Sequence, residues 1–187
     1  DIFKNKLLEV INDDGGHVSR RPETHFKTLK QLFECRIAMG QAGIRDTSSL
    51  DQTITKMGAI AKMWRSSNGK FAHFHGGGKT NSERIEDVLK RCSPAGKITR
   101  HAKQTGFVRL SSGRTTLIMD CATPIKPIPE NAASLASFEI HLAGNPFIVN
   151  VGQLSGNKEL NSAYCQTAAH TALTLDNYDN NVWKGKN

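Results

Sequence analysis

Ser93-Pro94-Ala95-Gly96 separates two stretches of this chain whose apolar residues keep different periods, and that change decides the fold class. Beyond it, Phe107-Val108-Arg109-Leu110 and Thr115-Thr116-Leu117-Ile118-Met119 flank Ser112-Gly113, the pattern of a β-hairpin. A second hairpin is predicted where Ser137-Phe138-Glu139-Ile140-His141-Leu142 alternates apolar with polar residues, turns at Gly144-Asn145-Pro146 and returns as Phe147-Ile148-Val149-Asn150-Val151. Thr171-Ala172-Leu173-Thr174-Leu175 offers one more strand.

Before the divide the apolar period is that of helices. Ser82 can cap one whose Ile85, Val88, Leu89 and Cys92 share a face. Ser49 with Gln52 forms a capping box ahead of Leu50, Ile54, Met57, Ala61 and Trp64. Pro22 suits a first helical position, Glu23 suits the positive helix end, and Phe26, Leu29, Phe33 and Ile37 recur until Gly40 and Gly43. The opening residues place Phe3, Leu7, Val10 and Ile11 at helical spacing until Asn12-Asp13-Asp14-Gly15-Gly16 ends the pattern. Helices first and strands afterwards predict an α+β, multidomain chain, with a helical segment over 1–95 and a β segment over 96–187. Helical pattern from Asp1 onward, the small strand number and the polar run Asp179-Asn180-Asn181 suggest a piece of a larger protein whose β segment is incomplete.

Composition narrows the partners. Lys plus Arg exceed Asp plus Glu by 25 to 17, a formal charge of +8 over 187 residues, which favours polyanions. Nucleic acid and acidic polysaccharide both qualify on charge, but basic residues are not interleaved with aromatics and no nucleic-acid module is visible, so nucleic acid is set aside. Nothing approaches the roughly 18 to 20 apolar residues of a membrane span. Cys35, Cys92, Cys121 and Cys165 form no C-x-x-C pair, which argues against a thiolate zinc site; they read as buried free thiols, although their even number permits two disulfides. His73-x-His75 ahead of Gly76-Gly77-Gly78 is either a paired-imidazole metal site or, as favoured, a glycine-hinged loop with two exposed imidazoles.

Asp14-Gly15-Gly16-His17-Val18-Ser19-Arg20-Arg21-Pro22-Glu23-Thr24-His25 is the most informative segment. It sets two imidazoles and two guanidiniums around the entrance of one helix, where backbone N–H groups also favour anions. This stretch resembles the D-G-S/G-H-x-x-x-x-P-x-Y-H motif of heparinase II/III-like polysaccharide lyases. Ser137-Phe138-Glu139-Ile140, Gly144 and Phe147 to Gly152 look like the family's later L-S-F-E-L, glycine turn and strand ending in D-x-G. Thr167-Ala168-Ala169-His170-Thr171 through Asp176 looks like its T-A-A-H-N-T-L segment. The three motifs stand in family order.

The resemblance implies the end of an α/α toroid followed by part of an antiparallel β-sandwich, and a protein acting on acidic, uronate-containing polysaccharide by β-elimination. It implies a periplasmic or secreted location and leaves the oligomeric state open. If the chain is active, His17 and His25 are its catalytic groups with Tyr164 as a substitute acid that otherwise packs in the sandwich, and Arg20, Arg21 and His170 bind substrate. The family's catalytic tyrosine, however, falls on Thr24, and its H-x-H falls on Glu130-Asn131-Ala132, where Glu130 is a possible substitute base. The aspartate that helps hold zinc in some members falls on Asn150, leaving His170 alone, so no metal or other cofactor is expected. The alternative is a descendant that kept the fold and binds glycan, or serves structurally, after losing the reaction.

Overall fold

The computed structural model describes residues 2–66, 68–77, 81–92, 98–122, 132–152, 158–176 and 178–180. The divide at Ser93 to Gly96 and the candidate base Glu130 lie outside the described residues. Helices precede it: α1 (Ile2–Val10), α2 (Pro22–Gln41), α3 (Ser48–Trp64) and α4 (Ser82–Cys92). Strands follow it: β1 (His101–Ala102), β2 (Phe107–Ser112), β3 (Thr115–Asp120), β4 (Phe138–Leu142) and β5 (Asn145–Ile148). A short helix, α5 (Lys158–Tyr164), comes after them and has no counterpart in the sequence reading.

α3 is the central helix. Leu50, Ile54, Met57, Ile60, Ala61, Met63 and Trp64 are all buried, and α2 and α4 pack against it. Its N-cap is Thr47, two residues before the predicted Ser49: Thr47 Oγ1 donates to Asp51 Oδ2 (2.9 Å) and Ser48 N–H to Asp46 Oδ1 (3.2 Å). Likewise Asn81, not Ser82, caps α4, accepting the Glu83 N–H at 2.7 Å. α2 buries His25, Phe26, Leu29 and Leu32, whereas Ile37, expected in the core, is 43% exposed near its far end.

The five strands form one antiparallel meander in the order β1-β2-β3-β4-β5. Leu142 pairs with Asn145, so the β4–β5 turn is Ala143-Gly144, with φ of 51° and 92°. Two positive φ values make a type I′ turn, whose twist suits a hairpin. The turn therefore precedes the predicted Gly144-Asn145-Pro146, and Pro146 joins β5, tolerated because that strand is an edge. Thr171–Leu175 is not a strand: Leu175 makes one isolated bridge to Tyr178, and Thr171 instead bonds the backbone of Phe138 at the start of β4.

The inner face of the sheet is rich in polar side chains. Arg109, Thr116, Asp120, Glu139 and His141 are buried toward the helices, together with Phe107 and Ile118. The outer face is apolar, with Leu110 59% exposed, Leu142 exposed, and Val108, Leu117, Met119, Phe138 and Ile140 half-buried. Edge-to-face ring contacts carry the core across the seam: Trp64 and Phe74 each meet Phe107, with centroids 5.2 and 5.0 Å apart. Two further expectations are corrected. All four cysteines are free, but only Cys92 is buried. His75 is 2% exposed rather than open to solvent, and His73 is half-buried.

Candidate functional site at the helix–sheet seam

The Asp14 to His25 segment is folded by its own side chains onto the sheet. Gly15, at φ 93°, passes so close to α3 that a Cβ would lie 2.6 Å from the Lys56 backbone carbon. That approach lets the Asp14 carboxylate accept from the N–H groups of Gln104 (2.9 Å) and Thr105 (2.8 Å) and from the Thr105 hydroxyl (2.6 Å). His17 Nδ1 accepts the Ser19 N–H at 3.0 Å, and the His17 N–H donates to His25 Nδ1 at 3.2 Å. His25 must therefore carry its proton on Nε2, which donates to Met57 O at 2.9 Å. Wholly buried and set edge-on to Trp64, its imidazole is pushed down to about 4, chiefly by desolvation. Burial also lowers His17, which is half-buried.

Arg20 does not reach solvent. Its guanidinium pairs with Asp120, donates from Nε to Thr105 O (2.9 Å) and lies over Phe107, 5.1 Å from the ring centroid. His75 reaches the same carboxylate from the loop after α3, its Nε2–H donating to Asp120 Oδ2 at 3.0 Å, while Nδ1 lies 3.3 Å from Ser134 Oγ. Both Arg20 (φ 57°) and His75 (φ 50°) occupy the left-handed region, which non-glycine residues enter only where surrounding contacts fix them. Two strained residues from separate loops thus converge on one fully buried carboxylate.

A second polar node lies beside it. Glu139 Oε1 accepts the N–H of His73 (2.7 Å) and of Asn150 (3.2 Å), and its Oε2 is 3.3 Å from His141 Nε2. Asn150 Oδ1 accepts the Thr171 N–H and faces His170 Nδ1, both at 3.3 Å. Burial lowers the His170 pKa. The donors here do not fit the zinc site known in some proteins this chain resembles. Asn150 supplies a neutral amide already engaged in the network, and among the described residues no three His, Cys, Asp or Glu side chains are grouped to hold a metal ion.

Of the residues singled out by sequence, the fold joins His17 to His25 directly and places Arg20 beside them, buried. Arg21 is half-buried and close enough to Cys165 to act on its thiol, although burial dominates that raised pKa. Tyr164 ends α5, half-buried, and Thr24 is half-buried in the first turn of α2. Ala132 is 4% exposed, a methyl group next to the Ser134 that faces His75. Asp120, Glu139 and His141 are not among the residues singled out by sequence, and His75 figures there only as one of a possible metal-binding pair. The alternation of Glu139 and His141 put them on one face of β4, but only the helices behind the sheet make that face the buried one.

The family described as Heparinase II/III-like, C-terminal, matches residues 94–187. FtsZ-localized protein C of Caulobacter vibrioides is 30% identical over 149 residues, which is 79% of this chain and 26% of that protein. A solved heparinase III superposes with a TM-score of 0.82 at 18% identity, covering 96% of this chain and 33% of its own. Heparan sulfate lyase HepC of Pedobacter heparinus gives 0.78 at 19% identity, covering 94% of this chain and 32% of its own. The chain thus spans between a quarter and a third of the proteins it matches, and the two solved structures share its fold.

Proposed function

Because this chain belongs to the heparinase II/III-like family, we propose that it is the substrate-holding portion of a protein that grips an acidic polysaccharide without cleaving it. One observation carries this reading: of the positions where the family keeps proton-transfer groups, two hold Thr24 and the buried methyl of Ala132. β-Elimination needs a base for the proton beside the uronate carboxyl group and an acid for the departing glycosidic oxygen. A threonine hydroxyl does not ionise near neutrality, and a methyl group moves no proton. Of the two neighbouring imidazoles, His25 is fully engaged and His17 is engaged at one nitrogen. His25 is sealed in the core with both ring nitrogens bonded, and the Nδ1 lone pair of His17 accepts the Ser19 N–H.

On this reading residues 1–95 end an α/α toroid and residues 96–187 begin a β-sandwich. The outward apolar face of the meander supports the second assignment, because a sheet with one such face is stable when another layer covers it. The lyase reading has two points in its favour: Glu130 stands at the first histidine position of the family's H-x-H as a substitute base, and Tyr164 is a half-buried phenol six residues before His170, a substitute acid.

Incubating the full-length protein with heparan-, chondroitin- and alginate-type polysaccharides, while following ultraviolet absorbance of the unsaturated sugar, separates the two readings. Measurable binding with no absorbance change is the expected result. Turnover that disappears in Tyr164→Phe would establish the lyase in its place.

A further inference from the structure

With Arg20 turned into the core, the cations that would meet an acidic chain must lie elsewhere, and the surface beside Thr24 supplies them. Thr24, Lys27 and Lys30 recur every third residue along α2 and form one wall of a groove of about 800 Å³. Asn81, Arg84 and Asp87 recur every third residue along the start of α4 and form the other. On a helix such spacing keeps side chains on one face, so two stripes look at each other across the gap. Phe26, Val88 and the Glu23 carboxylate in the first turn of α2 complete the lining, so three cations face two carboxylates.

The charge on these walls is unevenly committed. Asp87 pairs with Arg91 at 3.1 Å and Lys30 with Glu34 at 3.5 Å, both exposed i,i+4 pairs of the kind that contributes little. Among the described residues no ion pair involves Lys27 or Arg84. Thr24 and Asn81 add neutral hydrogen-bonding groups near the groove's end at the helix N-termini. A groove with cations one turn apart along a wall, a hydroxyl and an amide near its end and some apolar surface matches a linear glycan, whose rings present hydroxyls, carboxylates or sulfates and C–H faces in succession.

We infer that the α2–α4 groove is the acidic-glycan site of this chain, with Lys27 and Arg84 as its principal anion contacts and Lys30 as an auxiliary one. The inference rests on the glycan-holding reading and gives it a location. It also places binding on a wall of the helical layer rather than at the guanidinium of Arg20.

The test uses the full chain with fluorescein-labelled heparin and alginate oligosaccharides, read by anisotropy at fixed salt, with neutral dextran as the uncharged reference. Lys27→Gln/Arg84→Gln removes two charge-assisted contacts and is expected to weaken binding about tenfold or more. Lys6→Gln/Lys103→Gln, which removes the same charge at exposed positions off the groove, is expected to change it less than about twofold. Far-UV circular dichroism and thermal melts establish that both variants are folded. Equal loss in the two variants, or no loss in the groove variant, overturns the site while leaving the glycan-holding reading intact. Failure of the unaltered protein to bind either oligosaccharide overturns that reading and the site with it.

Discussion

His25 shows how one buried imidazole fixes a pH response. Its folded pKa, held at about 4 by desolvation, lies below the ordinary histidine value of 6.5. The unfolded chain therefore takes up the proton first as pH falls. Stability is complete above about pH 6.5 and drains away as pH drops toward 4, by on the order of 3 kcal/mol for this group alone. His17 and His170 are shifted in the same direction by burial and add to the trend. Urea unfolding at a series of pH values should show the midpoint falling through this window, and His25→Gln should be less stable at pH 7 but show a flatter pH dependence. The Asp120 carboxylate gives a second prediction. Asp120→Asn leaves the Arg20 guanidinium buried without its counter-charge, and removing one partner of such a pair costs about 3 to 5 kcal/mol. Arg20→Met/Asp120→Asn should lose less than the sum of its single variants, since the two side chains form one unit.

Elements meet at turns whose conformation is dictated by geometry. Gly15→Ala would force a Cβ into the α3 backbone at φ 93°, a strain of more than about 1 kcal/mol, and should lower the melting temperature with α2 and the sheet still formed. The β4–β5 turn offers the opposite case. Ala143 sits at φ 51° in a type I′ turn that prefers Asn-Gly, so Ala143→Asn should raise stability by roughly 0.5 to 1 kcal/mol, seen as a melting temperature higher by a few degrees. The helix faces were readable because apolar spacing and capping residues act within a few positions of one another: all five residues predicted for the buried face of α3 are buried. The strand expected at 171–175 failed because alternation does not supply a partner. Leu173 and Leu175 point to solvent, and Thr171 instead serves the β4 end.

At the scale of the molecule, helices and sheet are joined by polar clamps rather than by apolar contact alone. Asp14 holds Thr105, Arg20 and His75 hold Asp120, Glu139 holds His73, and Arg109 donates to Met63 O (2.9 Å) and Arg65 O (2.6 Å). Buried polar groups linked this way are unfavourable to separate, so helical and β signals should melt in one transition. The outer sheet face makes a sharper prediction. Leu110→Lys should lower the melting temperature of the full-length protein if a second layer covers that face, while in the isolated 187-residue chain it should reduce self-association measured by light scattering. An unchanged full-length protein would remove the sandwich assignment.

The amino-acid sequence by itself determined the order of helices before strands, both hairpins, and the motifs that align this chain with its family, because these depend on spacing along the chain. It also revealed Thr24 and Ala132 where proton-transfer groups were expected. Only the tertiary structure decided which of the retained basic residues can meet a ligand. Arg20 is adjacent in sequence to Arg21 and looks equally available, yet the sheet places a buried carboxylate at its head, and desolvation requires that pair to close. Lys27 and Arg84, far apart in sequence, face one groove because α2 and α4 pack on the same central helix.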